Sequence, residues 1–208
     1  MKQVFVTGIG TDVGKTVVSA ILTEALQADY WKPVQAGDLE NSDTIKVKNL
    51  VSNEKSVFHA EAYRLPLPLS PHASAAAAGI ELNLNQIVLP TTENNLVIEG
   101  AGGLFVPLNA GSLIIDLIQK LQVPVILVSA NYLGSINHTL LSVEALKHRN
   151  IPVAGIIFNG APTPASEEYI LQFTGLPKLL SVLPEKEMNK QVVKKYAVAL
   201  SATLNTKL

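Results

Sequence analysis

Residues 4–16 decide the fold, and they read Val4-Phe5-Val6-Thr7-Gly8-Ile9-Gly10-Thr11-Asp12-Val13-Gly14-Lys15-Thr16. The β-branched run at the start predicts a buried strand, and the residues from Lys15 onward have the pattern of a helix. The glycines between them let the backbone turn tightly and aim successive N–H groups at one point. Because the amino terminus of a helix adds partial positive charge, this order of elements predicts a binding site for phosphate groups.

The loop carries the side chains that a nucleoside triphosphate with Mg²⁺ requires. Lys15 would reach the β- and γ-phosphates, and the hydroxyl of Thr16 would be a ligand of Mg²⁺. Five residues separate Gly8 from Gly14, one more than in the usual pattern, but Gly14-Lys15-Thr16 stays intact at the junction of strand and helix. We therefore favour a phosphate-binding loop over a helix that merely begins with these residues after a turn.

The rest of the chain alternates short apolar runs with longer helical stretches. The predicted strands are residues 4–7, 30–34, 96–98, 125–129, 153–158 and 179–183, and the predicted helices are residues 15–27, 43–51, 113–121, 135–149, 165–173 and 189–203. Several runs are apolar at every position, as in a parallel sheet that is covered on both faces. The pattern predicts an α/β fold with a doubly wound, mostly parallel sheet flanked by helices, and an excursion with one or two helices over residues 66–89. Without an internal repeat or a long linker, residues 1–208 are expected to form a single domain.

The composition narrows the range of functions. Hydrophobic residues make up 48% of the chain and charged residues 16%, below the roughly 25% charge usual in soluble domains, so we expect another subunit to cover part of the surface. A net charge of −1 gives no reason to expect a nucleic acid or an anionic membrane as a partner. The absence of cysteine excludes a disulfide scaffold and a thiolate nucleophile. The chain shows neither a signal-peptide pattern nor an apolar run of ~18 residues, so a cytoplasmic location is expected.

Three charged residues outside the loop are candidates for chemistry, because such sheets bind ligands beyond the carboxyl ends of their strands. Glu99 follows the predicted strand 96–98 and precedes Gly100-Ala101-Gly102-Gly103, a pattern that packing alone does not explain. Asp43 is either a Mg²⁺ ligand or a helix cap, and the sequence does not decide between the two roles. Lys32, at the end of the second predicted strand, either neutralises a transferring phosphoryl group or is an ordinary surface lysine.

Taken together, these segments resemble the dethiobiotin synthetase family, whose members have a P-loop NTPase-like fold. The segments occur in the family's order, from residue 4 to about residue 185, and they include Thr11-Asp12-Val13-Gly14-Lys15-Thr16, Lys32-Pro33-Val34, Asn41-Ser42-Asp43, Ser70-Pro71-His72, Glu99-Gly100-Ala101-Gly102-Gly103, Leu133-Gly134-Ser135-Ile136-Asn137-His138 and Asn159. The five-residue spacing of the phosphate loop is itself a trait of this family.

The resemblance implies an ATP- and Mg²⁺-dependent ligase that closes the ureido ring of dethiobiotin. Its substrates would be 7,8-diaminopelargonate (7,8-diaminononanoate), CO₂ and ATP. An amine takes up CO₂ to form a carbamate, a carbamate oxygen attacks the γ-phosphate to give a carbamic–phosphoric anhydride, and the second amine closes the ring and expels phosphate. Such chemistry needs positioning and charge neutralisation rather than a protein nucleophile.

The resemblance also assigns nucleotide and metal roles. Thr16, Asp43 and Glu99 would be the Mg²⁺ ligands, and Lys15 and Lys32 would be the catalytic cations. The nucleotide site that it implies consists of Asp12, Val13, Gly14, Lys15, Thr16, Val17, Asp43, Glu99, Gly100, Ala101, Gly102, Asn159, Gly160, Leu183 and Pro184. Within that set, Asn159 with Gly160 would read the adenine edge, and Leu183-Pro184 would line the base pocket.

The residues that it implies for the diamine are Ala36, Gly134, Ser135, Ile136, Asn137 and Tyr169. The segment 134–137 opens a helix whose free N–H groups suit the substrate carboxylate, and in this family it comes from the neighbouring subunit, which implies a homodimer with a shared active site. Tyr169 either lies near the substrate tail or packs on its own helix. At Ala36 the family usually has a hydroxyl, so Gln35 or a backbone group replaces that contact unless the contact is not needed. Asp12, where many relatives have glutamate, keeps the negative charge.

Other classes of P-loop protein share the phosphate loop. GTP-driven switch proteins carry an Asn/Thr-Lys-x-Asp motif, and the nearest stretch, Asn189-Lys190-Gln191-Val192, lacks the acidic residue. Partitioning ATPases carry an additional lysine where this chain has Gly10. Amidotransferase-type synthetases of the same superfamily are normally fused to a glutaminase domain, for which 208 residues leave no room.

Overall fold

The computed structural model describes residues 3–207, and a parallel sheet forms its centre. The strands are β1 Gln3–Gly8, β2 Asp29–Trp31, β3 Val34–Ala36, β4 Phe58–His59, β5 Tyr63–Leu65, β6 Leu96–Gly103, β7 Pro107–Asn109, β8 Ser112–Leu113, β9 Val125–Ala130, β10 Val153–Asn159 and β11 Lys178–Val182. Seven of them form the main sheet in the order β11-β10-β9-β1-β6-β2-β4, and every pair in it is parallel. Two small sheets, β3 with β5 and β7 with β8, lie beside it.

Helices cover both faces of the main sheet. They are α1 Lys15–Leu26, α2 Asp43–Leu50, α3 Pro71–Ala77, α4 Ile114–Leu121, α5 Ser135–His148, α6 Pro164–Thr174 and α7 Lys190–Lys207. Successive residues of β1 enter opposite cores: Val4 and Val6 pack with α1 and α7, whereas Phe5 packs with α4. This alternation explains why the strand is apolar at every position, and it confirms the predicted doubly wound α/β fold.

The strand order places β1 at the point where the chain changes direction across the sheet. From β1 the chain passes to β2 and β4 on one side and returns through β6, and it then builds β9, β10 and β11 on the other side. In open parallel sheets, ligands bind in the crevice at such a switch point, beyond the carboxyl ends of the strands. The loop between β1 and α1 lies at this crevice, so the fold presents the predicted phosphate loop where a ligand is expected.

The prediction of one strand over residues 30–34 was wrong. The strand β2 ends at Trp31, and β3 begins at Val34 in a separate sheet with β5. Pro33 separates the two strands because it has no N–H to donate to a ladder. The predicted strand 96–98 was too short, since β6 continues to Gly103. The strands β4, β5, β7 and β8 were not predicted, and each has two or three residues.

The helix predictions agree with the structure apart from their ends. The excursion over residues 66–89 contains α3 and a short 3₁₀ turn, Leu84–Gln86, as the sequence indicates. The last helix is longer than predicted and reaches Lys207. Within residues 3–207, no helix is both long enough and apolar enough to span a bilayer.

Candidate active site

The phosphate loop accommodates its additional residue with two left-handed backbone positions. Asp12 has φ 56° and Gly14 has φ 93°, and the left-handed region costs an ordinary residue more than glycine. The buried side chain of Val13 turns beneath the loop, where its Cγ2 would lie 2.3 Å from a Cβ at Gly8. The helix α1 then begins at Lys15, so its first N–H groups have no carbonyl partner inside the helix. The two left-handed positions and the buried side chain of Val13 thus accommodate the five residues between Gly8 and Gly14.

Lys15 is buried at the mouth of this loop. Its Nζ donates to the carbonyl of Gly10 at 2.9 Å. The pKa of Lys15 is lowered to about 8, chiefly by burial; the negative charge of Glu99 opposes this shift and the positive charge of Lys32 adds to it. The ammonium is thus held at a site with little solvent, where an anionic ligand would restore its preference for the charged form.

Glu99 is the most enclosed charged side chain of the site, with 1% of its surface exposed. Its Oε1 accepts hydrogen bonds from Thr16 Oγ1 at 3.0 Å and from Lys32 Nζ at 3.2 Å, and its Oε2 accepts one from Tyr30 at 2.9 Å. The residue lies within β6 rather than after it, at the position where the pairing of β6 with β1 loses its regular register. Burial, followed by the negative charge of Glu99, raises the pKa of Tyr30 well above its usual value, so Tyr30 stays a donor.

Lys32 is buried, which rules out an ordinary surface lysine. Its Nζ lies 2.6 Å from Asp43 Oδ2 and 3.2 Å from Glu99 Oε1. Burial alone would lower the pKa of Lys32, but the charges of Glu99 and Asp43 outweigh burial and raise it. The side chain therefore stays protonated between two carboxylates.

Asp43 belongs to the charged cluster and is not the cap of α2. The cap is Ser42, whose hydroxyl accepts from the N–H of Ile45. Burial acts to raise the pKa of Asp43, but the charge and hydrogen bond of Lys32, the charge of Lys46 and a hydrogen bond with Thr16 together lower it. Ser42, rather than Asp43, therefore caps α2.

Gln35 holds Asp43 in place. Its Oε1 accepts from the N–H of Asp43 at 3.2 Å, and its Nε2 donates to the carbonyl of Gly37 at 2.9 Å. Gln35 also lines the cleft, so it stays a candidate to replace the hydroxyl missing at Ala36. Ala36 itself lines the cleft.

These groups surround one cleft of about 720 Å³. The sequence-predicted residues that line it are Asp12, Gly14, Lys15, Thr16, Lys32, Ala36, Asp43, Glu99, Ala101 and Gly102. Besides Thr11, Val34 and Gln35, the wall includes Asp38, Lys46, Val106 and residues 68–71, which the sequence did not assign to the site. Asp38 and Lys46 form an ion pair at 2.8 Å on the rim. In the sequence, the Ser70-Pro71-His72 segment was the signal that could have identified the part of the wall at the start of α3.

The donor set fits Mg²⁺ bound together with a nucleotide. Among the described residues, no group of three or more His, Cys, Asp or Glu side chains could hold a metal by itself. Instead, Thr16 contributes a hydroxyl beside the carboxylates of Asp43 and Glu99. Mg²⁺ takes one or two carboxylates and completes its shell with phosphate oxygens and water. Two carboxylates and one hydroxyl therefore suit a Mg²⁺ ion that is bound together with a nucleotide better than a metal ion whose ligands all come from the protein.

The residues predicted for the nucleobase form a second group at the ends of β10 and β11. Asn159 Nδ2 donates to the carbonyl of Val13 at 3.0 Å and therefore touches the back of the phosphate loop. The N–H of Gly160 donates to the carbonyl of Val182, which precedes the exposed Leu183 and Pro184. These residues do not line the charged cleft.

Two further residues of the nucleotide set pack against the core of the sheet. Val17 lies in the first turn of α1 and packs partly into the core. At Gly100 a Cβ would lie 2.8 Å from Cε1 of Phe5, so the position excludes a larger side chain without movement of the core. Neither residue lines the cleft.

The residues predicted for the substrate carboxylate and tail lie away from the cleft of their own chain. Gly134, Ser135, Ile136 and Asn137 form the start of α5, with Gly134 at φ 104°. None of the four lines the cleft. Tyr169 is exposed on α6 and stacks on Phe173 with ring centroids 6.0 Å apart, so it does not contact the charged cluster in the single chain.

Comparison with known proteins shows the family of this chain. A family model described as an AAA domain matches residues 2–192. The chain is 58% identical to the ATP-dependent dethiobiotin synthetase of Christiangramia forsetii, over 94% of each chain, and 55% identical to that of Cytophaga hutchinsonii, over 96% of this chain and 97% of the relative. Among solved structures, the cell division ATPase MinD of Pyrococcus furiosus shares the fold, with a TM-score of 0.66, 15% identity and 99% of both chains covered. With its full-length relatives and its intact phosphate loop, the chain belongs to the family of ATP-dependent dethiobiotin synthetases and is an enzyme of the ATP-dependent ligase type.

Proposed function

We propose that this enzyme converts 7,8-diaminopelargonate, CO₂ and ATP into dethiobiotin, ADP and phosphate. The observation that carries the proposal is the cluster of Lys15, Thr16, Lys32, Asp43 and Glu99 around a single cleft beside the phosphate loop. The names of the relatives supply the product, and the cluster supplies groups suited to phosphoryl transfer to an anion. Lys15 and Lys32 offset negative charge, while the two carboxylates and Thr16 would hold Mg²⁺.

In the proposed reaction, one amine of the diamine adds to CO₂ and loses a proton to form a carbamate. A carbamate oxygen attacks the γ-phosphorus, the bond to the β-phosphate oxygen breaks, and ADP leaves. The second amine then attacks the carbonyl carbon of the anhydride, phosphate leaves and the ureido ring closes. Mg²⁺ would neutralise charge on the phosphate oxygens throughout.

The protein would contribute positioning and electrostatic stabilisation. Lys32 is held by Asp43 and Glu99, so its ammonium is fixed before substrate arrives. A charge that is already oriented needs no reorganisation during the reaction, and this makes it more effective than a mobile charge in water. Burial disfavours the protonated form of Lys15, so of the two lysines it is the one whose positive charge a bound phosphate would stabilise most.

The nucleotide would extend from the cleft toward the ends of β10 and β11. Asn159 contacts the backbone of Val13, which places an amide group next to the phosphate loop. We assign the adenine edge to Asn159 and Gly160, and the wall of the base pocket to Leu183 and Pro184.

We further propose that the enzyme works in the cytoplasm as a homodimer of single-domain subunits, with small molecules rather than nucleic acid or membrane as its ligands. Leu133, Phe105 and Leu141 are large apolar side chains that are exposed in the single chain. Phe105 and Leu141 border a hollow of about 310 Å³ that shares Thr11 and Val106 with the charged cleft. A second subunit on this surface would bury it and could bring residues 134–137 to the neighbouring cleft.

The likeness to partitioning and cell division ATPases does not favour those functions here. Their identity to this chain is 10–15%, which supports a common fold only. The dethiobiotin synthetases are related at more than 50% identity over almost the whole chain.

The reaction is tested by measuring ADP release with Mg²⁺-ATP and bicarbonate, with and without the diamine, while dethiobiotin is followed by mass spectrometry. We expect ADP release to depend on the diamine and to match dethiobiotin one to one. ADP release at the same rate with and without the diamine would refute the ligase assignment. The remaining hypotheses would then be a switch protein or a partitioning ATPase.

Replacing Lys32 separates its catalytic role from a structural one. We expect Lys32→Gln to lower kcat by roughly 10²–10³-fold, as the loss of a fixed electrostatic group does elsewhere, with the fold checked by circular dichroism. Lys48→Gln, on the exposed face of α2, is the matched control and should keep wild-type turnover. Turnover near the wild-type level in Lys32→Gln would show that this ammonium has no part in the chemistry.

The lowered pKa of Lys15 predicts a pH dependence of nucleotide binding. As pH rises through about 8, the free enzyme loses the Lys15 proton, and a bound phosphate must then draw it back. We expect affinity for Mg²⁺-ADP to fall above pH 8 by up to about tenfold per pH unit, with proton uptake visible by calorimetry in buffers of different ionisation enthalpy.

Lys15→Arg provides the control for this titration, because arginine stays charged throughout the range. Its affinity should not show the decline above pH 8. A flat profile in the wild-type enzyme, without proton uptake, would contradict the assignment of Lys15.

The shared active site is tested by mixing inactive subunits. Lys15→Ala and Asn137→Ala should each abolish or strongly reduce turnover. If each site takes Lys15 from one chain and Asn137 from the other, a heterodimer regains one intact site, and an equal mixture should recover roughly a quarter of wild-type turnover. Heterodimers that are demonstrated by differential tagging but show no recovered turnover would exclude a shared site.

A further inference from the structure

Tyr30 is a fully buried residue that the proposed reaction does not use directly. It lies in β2 and pairs in parallel register with Val97 of β6. Side chains two residues apart on a strand share a face, so Glu99 is the diagonal neighbour of Tyr30 on that face, within reach of an aromatic side chain. Packing close to Phe58, with ring centroids 6.1 Å apart, fixes the tyrosine ring from the other side.

The hydroxyl of Tyr30 makes the two oxygens of Glu99 unequal. It donates to Oε2 at 2.9 Å, on the interior side of the carboxylate. The other oxygen, Oε1, receives Thr16 and Lys32 and therefore faces the cleft. A carboxylate bound in this way cannot turn both oxygens toward one ligand without breaking the bond to Tyr30.

We propose that Tyr30 is a positioning residue that keeps Glu99 a one-oxygen ligand and thereby makes the site prefer Mg²⁺ over larger divalent cations such as Ca²⁺. The inference rests on the proposed metal–nucleotide site. Mg²⁺ requires near-octahedral geometry with short bonds, whereas Ca²⁺ accepts seven or eight oxygens and often binds both oxygens of a carboxylate. Groups that hydrogen-bond to a metal ligand typically change metal affinity by 10–100-fold when they are removed.

The test is Tyr30→Phe, which removes one oxygen and keeps the ring. The readout is the concentration of Mg²⁺ or Ca²⁺ that gives half-maximal tightening of ADP binding, measured by calorimetry, so turnover is not involved. We expect the affinity for Mg²⁺ to fall about tenfold while the affinity for Ca²⁺ stays equal or rises, so that the preference for Mg²⁺ falls by at least about tenfold.

Tyr63→Phe is the matched control. The Tyr63 hydroxyl also donates to a side-chain oxygen, that of Gln86 at 2.8 Å, but Tyr63 does not line the cleft. It should leave the preference between the two cations unchanged. The same change in both variants would mean that loss of a hydroxyl acts through general stability, and that result would overturn the proposal.

Two further variants separate the possible failures. Glu99→Gln should abolish the metal-dependent tightening of ADP, and if it does not, the proposed metal site is wrong irrespective of Tyr30. If Glu99→Gln behaves as expected while folded Tyr30→Phe keeps the wild-type preference, the role of Tyr30 is refuted. Should Tyr30→Phe fail to fold, Glu99→Asp decides, because the shorter side chain withdraws from the Tyr30 hydroxyl and should lose the same preference; an unchanged preference overturns the proposal.

Discussion

A carboxylate enclosed within a sheet must be balanced by donors and positive charge that the fold itself supplies. Glu99 is in this position, and an unpaired charge there would cost several kcal/mol. Its partners Thr16, Tyr30 and Lys32 belong to α1, to β2 and to the residue that follows β2. All three meet Glu99 only if β6 pairs with both β1 and β2 in the observed register. The geometry of the site and the register of the sheet are therefore one constraint.

The same balance explains the state of the two buried lysines. Lys32 has two carboxylates within 3.2 Å and its pKa is raised, whereas Lys15 is directed toward a backbone carbonyl and its pKa is lowered. The free protein thus satisfies one ammonium completely and leaves the other in need of a counter-charge. An anion that enters the cleft meets Lys15 as its most poorly compensated partner, so the phosphate loop is the part of the site best prepared for a ligand.

Much of this site could be predicted from sequence because its signals are local. The loop at Gly14-Lys15-Thr16 and the acidic residue before Gly100 are recognisable without a structure. Asp43 was ambiguous because Ser42 and Asp43 are both good capping residues, and only the hydrogen bond of Ser42 to Ile45 separates their roles. Tyr30 was predicted only as an apolar strand residue, since the role proposed for it depends on cross-strand register. Strands as short as β4 and β8 depend on partners that are distant in sequence, and local patterns do not reveal such partners.

Under the proposed assignment, different strands carry the residues that bind the phosphates and the residues that bind the nucleobase of one nucleotide. The charged groups that line the cleft lie in β6, in the loops after β1, β2 and β3, and in the first turns of α1 and α2, while Asn159 and Leu183 stand at the ends of β10 and β11, on the other side of β1. Under the proposed assignment, substitutions at Leu183 and Pro184 would alter the base pocket and leave the charged groups of the cleft in place, whereas Asn159 is also bonded to the phosphate loop through Val13.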